Sequence, residues 1–260
     1  MFIDTHCHLN LPDFTDVEKV LSQAKDNDVE KIIIPGIDVV SSTKAIEISH
    51  KYSQCYAAIG IHPHHEGQVV VEELLRLGQE KKVVAIGEIG LDYYRADKKN
   101  LSQIKKQQEI ILKLQLELAR EINLPVILHC REAFSDLLTI LNSYRVRGVF
   151  HCFGGTLENL QEVLKRGFYV GFDGNLTYKN AQNLRDLVAF TPLEKILLET
   201  DSPFLTPLPD RGKRNEPKNV KIVADTIAQI KNLDVSEVEK QTTNNAEKLF
   251  KLHNLSSQGA

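Results

Sequence analysis

Apolar and polar positions follow two rhythms along this 260-residue chain. Short runs of β-branched and apolar residues recur at 2–8, 31–37, 55–62, 83–91, 125–130, 148–152, 168–172 and 195–201. Continuous apolar character at that length predicts strands buried on both faces. Between the runs, apolar residues spaced three and four apart predict helices over 17–24, 42–52, 71–80, 104–121, 132–141, 157–166, 180–189, 220–231 and 236–252. Strands alternating with helices imply a parallel α/β sheet, and eight such repeats close into a TIM (β/α)8 barrel. A doubly wound open sheet would carry a glycine-rich turn after its first strand. Here that strand ends in His6-Cys7-His8 instead. No Pro-, Gly- or Ser-rich linker interrupts the pattern, so residues 1–255 read as one domain, with 256–260 expected to fray.

Five of these runs end in a residue able to bind a divalent metal: His6 and His8, Glu88, His129, His151 and Asp201. Each would be delivered at the carboxyl end of its strand, where barrels of this type carry their sites. Four imidazoles and two carboxylates exceed the four ligands of one zinc ion and suit a two-metal hydrolytic centre. A carboxylate in a fully apolar strand is costly unless paired or metal-bound, and Glu88 has two oxygens with which to bridge. Strand alternation puts Asp4, His6 and His8 on one face, Glu88 and Asp92 on another, and Glu199 with Asp201. Asp4 is expected to orient an imidazole from beneath, and Glu199 to support the site from one layer deeper. Asp201 is expected to ligate metal and accept a proton from water. His62 should overhang the site and contact substrate phosphate or transfer a proton. His64 and His65 read as a solvated loop.

Composition sharpens the picture in three places. The apolar fraction of 42% and charged fraction of 26% are those of an ordinary globular protein. Cys7, Cys130 and Cys152 each follow a candidate ligand, so alternation turns them toward the covering helices as small hydrophobes, in keeping with a reducing compartment. With no signal-peptide pattern and no apolar stretch long enough for a bilayer, a cytoplasmic protein that makes no membrane contact is expected. A net charge of −3 offers no general attraction for polyanions, so anion binding must be local. Arg211, Lys213 and Arg214 follow strand eight, where barrels tend to bind phosphate. Arg131 carries a fork suited to phosphate oxygens. Phe153-Gly154-Gly155-Thr156 opens a helix whose amides suit an anion, and Tyr93, Tyr94 and Phe153 suit base stacking.

The segments Phe2-Ile3-Asp4-Thr5-His6-Cys7-His8, Gly87-Glu88-Ile89-Gly90-Leu91-Asp92, Leu128-His129-Cys130-Arg131, His151-Cys152-Phe153 and Glu199-Thr200-Asp201-Ser202-Pro203 closely resemble the TatD family of metal-dependent deoxyribonucleases, within the amidohydrolase-like TIM barrels. The resemblance runs from Phe2 to about Leu252 with every motif in order. It implies one metal held by His6, His8, Glu88 and Asp201, and a second by Glu88, His129 and His151, the ions being Mg, Mn or Zn. It also implies a nuclease of the 3′ exonuclease type acting on single-stranded DNA or DNA ends. Some family members remove D-amino acids from tRNA, which leaves ester hydrolysis as an alternative. Related binuclear hydrolases place a carbamylated lysine where this chain has Glu88, which argues against phosphotriesterase-like or urease-like chemistry. A metal-stabilised binding module without turnover is a third reading. A monomer is expected, with Arg131, Arg211, Arg214 and His62 contacting substrate.

Overall fold

The computed structural model describes residues 1–65, 71–94, 96–97 and 99–252. Eight strands, β1 (Phe2–Asp4), β2 (Val29–Pro35), β3 (Cys55–Ile59), β4 (Val83–Asp92), β5 (Val126–Arg131), β6 (Gly148–Phe150), β7 (Tyr169–Phe172) and β8 (Ile196–Leu198), pair in chain order. Every pair is parallel. The ring closes between β8 and β1. Thr5 N donates to Leu198 O at 3.0 Å, Asp201 N to His6 O at 2.9 Å and His8 N to Ser202 O at 2.8 Å. The fold is a TIM (β/α)8 barrel.

Helices α1 (Val17–Lys25), α2 (Val39–Lys51), α3 (Val71–Leu77), α4 (Leu101–Glu121), α5 (Phe134–Leu141), α6 (Leu157–Lys165), α7 (Gln182–Phe190) and α8 (Val220–Lys231) surround it. Outward strand residues such as Ile32, Ile34, Ile86, Leu128, Phe150 and Leu198 pack on the apolar faces of these helices. Phe150 meets Phe168 edge-to-face at 5.3 Å, an arrangement aromatic pairs prefer. A separate inner cluster gathers Ile3, Ile33, Val84, Ile127, Val149 and Leu197 around Leu249 and Phe250 of α9 (Val235–Phe250), which plugs the amino end of the barrel. Continuing the alternation by two residues from Ile127, Val149 and Leu197 brings His129, His151 and Glu199 inward at the opposite, carboxyl end.

The strands stop earlier than the apolar runs suggest, and the reason bears on the site. β1 ends at Asp4, β3 at Ile59, β6 at Phe150 and β8 at Leu198. Past these points the chain leaves the ladder: Cys152 has φ 45° and Asp201 φ 53°, both left-handed. Such backbone is uncommon for non-glycine residues and concentrates at functional sites. β4 is the long exception. Buried Gln108 of α4 pins its end, accepting from Asp92 N and donating to Asp92 O, both at 2.9 Å. Gln115, two turns along the same helical face, makes the same paired contact with the Ile61 backbone. The expected tail at 256–260, with 253–255, lies outside the described residues. Among the described residues no helix is long and apolar enough to cross a membrane.

Candidate metal centre at the carboxyl end of the barrel

The six expected ligands converge. His6 Nε2 and His8 Nε2 lie 3.1 Å apart. Asp201 Oδ1 is 3.7 Å from the first and 3.5 Å from the second. Glu88 sits between two groups of imidazoles and turns one oxygen to each. Its Oε2 is 3.4 Å from His6 Nε2 and 3.6 Å from His8 Nε2. Its Oε1 is 2.7 Å from His129 Nδ1 and 2.9 Å from His151 Nε2. The backbone at Asp201 is left-handed, and its carboxylate faces His6 and His8 beyond the end of β1.

The imidazoles and carboxylates of the cluster set one another's charge. Burial opposes ionisation of Glu88, yet His151, His62 and the hydrogen bonds from His129 and His151 hold it well below the usual carboxylate range. Asp201 is likewise depressed: burial opposes its charge, and His8, His151 and His6 outweigh it. Burial and the neighbouring His151 push His6 down to about 4, leaving its imidazole neutral. Against the effect of burial, Glu88, and after it Glu199 and Asp201, raise His151 to about 10. No lysine or arginine among the described residues pairs with Glu88 or Asp201. Three ligand sets have donor atoms within 4.8 Å of one another: His6, Glu88 and His151; His6, His8 and Asp201; His62, Glu88 and His129. Metal–donor bonds of about 2.0–2.2 Å place neighbouring donors roughly 3–3.6 Å apart, close to the 3.1, 3.5 and 3.7 Å among His6, His8 and Asp201. Buried His6 Nδ1, His8 Nδ1 and His151 Nδ1 have no hydrogen-bond partner among the described residues, while their Nε2 atoms face the centre. The residues fit divalent metal.

Several neighbours differ from the sequence expectation. Because β1 ends at Asp4, that carboxylate leaves the imidazoles' face. It accepts from Thr200 Oγ1 at 2.6 Å, Thr200 N at 3.0 Å and His6 N at 3.3 Å, so it holds the backbone of the His6 turn and not the ring. Burial raises it to about 8. Glu199 lies beneath the site, accepting from Cys152 N at 2.9 Å with His151 Nδ1 at 3.8 Å. Cys7 and Cys130 pack with the outer hydrophobic layer, but Cys152 does not. Its thiol sits near Asp173 and accepts from Asn175 Nδ2 at 3.8 Å. Phe153 is buried against Phe134 and Phe150, which removes it from base stacking. The amides opening α6 are capped reciprocally by Thr156 and Asn159. Tyr93 is covered by Lys105.

His62 closes on the site from β3, its Nε2 3.5 Å from Glu88 Oε1. His64 N donates to His62 Nδ1 at 3.1 Å, which leaves the proton of the neutral ring on Nε2, facing inward. Burial keeps that ring neutral, down to about 3. Arg131 and Arg211 lie over Tyr94 and Tyr178, at 3.6 and 4.2 Å from the ring centroids, and neither guanidinium has an ion pair among the described residues. Arg214 differs. It is bidentate on Asp16 at 2.7 and 3.0 Å and also donates to Glu216 and Asp13 O, so it straps its loop to the segment before α1.

Three residues were missed. Asp92 Oδ2 is 3.2 Å from His129 Nε2 and 3.1 Å from His64 Nε2, the carboxylate–imidazole contact that orients a ligand. His64, expected on a solvated loop, is exposed there but reaches this carboxylate. Asp173, just past the end of β7, is fully buried beside the Cys152 thiol. It is a carboxylate closing an apolar run, the same signal that located the ligands. Phe204 stands beside His8 with its ring centroid 6.3 Å away.

A barrel carrying histidines and carboxylates on its strand ends around a shared glutamate belongs with the metal-dependent hydrolases. The family model described as TatD related DNase matches residues 3–251, and the chain belongs to that family. It is 43% identical over 260 residues to YabD of Bacillus subtilis, named an uncharacterised metal-dependent hydrolase, across 97% of this chain and 100% of that protein. It is 35% identical over 249 residues to the 3′-5′ ssDNA/RNA exonuclease TatD of Erwinia tasmaniensis, across 91% of this chain and 94% of that one. The crystal structure of YjjV, a TatD homologue from Escherichia coli K12, superposes with a TM-score of 0.89 at 33% identity, covering 96% of this chain and 98% of YjjV. The protein is therefore a metal-dependent hydrolase acting on ester bonds.

Proposed function

We propose that the bond cleaved is a phosphodiester of single-stranded DNA, at or near an end, and that the site works with two divalent ions. The observation that carries this reading is Glu88, whose Oε2 faces His6 and His8 while its Oε1 faces His129 and His151. His6, His8, Glu88 and Asp201 would hold one ion, and Glu88, His129 and His151 the other, drawn from Mg, Mn or Zn, which tolerate mixed N/O ligands. Such ions supply Lewis-acid polarisation of the phosphoryl group and activation of water.

The chain's own groups supply the rest. Asp201, held ionised, orients the attacking water and takes its proton. His62 presents Nε2–H toward the centre and donates a hydrogen bond to the departing oxygen, its ring staying neutral. Arg131 and Arg211 clamp non-bridging oxygens: each guanidinium is stacked on a tyrosine, which fixes its plane and leaves the fork free. Two such forks neutralise only a phosphate or two, so affinity should depend weakly on salt. The relative named a single-stranded DNA and RNA exonuclease supports the substrate class.

The test is an assay of metal-stripped protein with added Mg, Mn or Zn, using end-labelled single-stranded DNA beside D-aminoacyl-tRNA. Metal-dependent shortening of the labelled strand supports the reading. Intact DNA alongside deacylated tRNA would reassign the bond.

A further inference from the structure

From its place at the metal centre, we propose that Phe204 is the platform on which an unpaired nucleobase stacks next to the scissile phosphodiester; this rests on the nuclease reading above. The ring is 51% exposed. The other large exposed apolar side chains lie on the helices (Val40, Ile110, Leu114, Leu157, Phe190), at Met1, or at Tyr94. Single exposed residues on helix surfaces need no explanation. Tyr94 already carries the Arg131 guanidinium. Among the described residues Phe204 is the exposed aromatic ring that neither a helix carries nor a guanidinium covers, and its one aromatic neighbour is His8, met edge-on at 68°.

The backbone that displays this ring is pinned on both sides. Phe204 N donates to the carbonyl of Asp201 at 2.8 Å. The carbonyl of Phe204 accepts from Asn215 Nδ2 at 2.7 Å, and that buried amide also reaches Thr200 O at 2.8 Å. Asn215 N donates in turn to Pro203 O at 3.0 Å. An exposed aromatic side chain is thus held three residues from Asp201 and against the ring of His8. A fixed aromatic surface with two side-chain torsions gives up little entropy on contact. It has no charge or hydrogen-bonding group, so it cannot recognise phosphate or a base edge. What it can recognise is a π-face, and stacking on such a face tolerates every base. Bases in a duplex already use both faces, so the partner is a base from a single strand. The Arg131 and Arg211 forks handle the backbone, and Phe204 handles the base.

The experiment compares an oligothymidylate with the same strand carrying base-free tetrahydrofuran residues at its three terminal positions on each end. The wild-type protein should show a KM about tenfold lower for the base-bearing strand. Phe204→Ala should erase that preference while retaining the wild-type metal content and melting temperature, since both backbone hydrogen bonds remain available. Phe204→Tyr should restore it. A wild-type protein that cleaves both strands with equal KM overturns the platform and leaves the nuclease reading standing. So does a Phe204→Ala variant that keeps the full preference, or one that loses kcat equally on both strands. Absence of cleavage of either strand by the wild type overturns both readings together.

Discussion

A Cβ on Gly171 would lie 2.2 Å from the carboxylate of Glu199, so this acid occupies the space that any larger residue on β7 would fill. The same carboxylate receives the Cys152 amide and faces His151 Nδ1. Gly171→Ala should therefore displace Glu199 and let His151 turn. Loss of an outer partner of a ligating histidine typically weakens metal affinity ten- to a hundredfold. Titration of the stripped variant with zinc should show that loss with the barrel's circular dichroism preserved. Wild-type affinity would show that Glu199 does not orient His151.

Asp92 stands closer to its imidazole than Glu199 does to His151. Its Oδ2 lies 3.2 Å from His129 Nε2, and Gln108 fixes its backbone. Burial lowers the His129 ring, but Asp92 and then Glu88 raise it above its ordinary value overall. Asp92→Asn keeps the shape and removes the charge, and should weaken the metal held by His129 and His151 by ten- to a hundredfold. Unchanged zinc affinity would make Asp92 a structural residue only.

The barrel and the six converging ligands were legible because each ligand terminates an apolar run, and a run of that length must be a buried strand. The surroundings were less legible because alternation holds only while the ladder lasts. β1 ends at Asp4 and β6 at Phe150, so face arguments carried past those points misplaced Asp4 and Cys152. Arg214 was read as a phosphate contact from its position after strand eight. Its partner Asp16 is distant in sequence, and no local pattern announces the pair. Asp173 had the right signal and was passed over. Phe204 had none, since exposure of a phenylalanine is a property of the folded surface.

Arg214 and Arg211 should separate stability from binding. Arg214→Ala breaks the strap to Asp16 and Glu216 and should cost roughly 1 kcal/mol, a small value because the pair is partly solvated. The Arg214 hydrogen bond, foremost, holds the Asp16 carboxyl below its ordinary value of 3.8. The strap's contribution is then fully present above that value and is lost as pH falls through the folded one. Melting curves of wild type and variant should differ at neutral pH and converge as the pH falls below the ordinary carboxylate value. A gap that widens in acid would contradict the strap.

Arg131→Ala together with Arg211→Ala removes both stacked forks. Metal content should stay at the wild-type level, while KM for single-stranded DNA rises and kcat falls if the forks also meet transition-state charge. Steady-state kinetics unchanged in the double variant would remove both residues from substrate binding.

The account turns on Glu88 as the shared ligand. Elemental analysis of purified Glu88→Ala beside the wild type, both reconstituted with zinc and freed of excess metal, tests it most directly. Two ions per chain in the wild type and one or none in the variant is the predicted result. Two ions retained in a folded Glu88→Ala protein would contradict it.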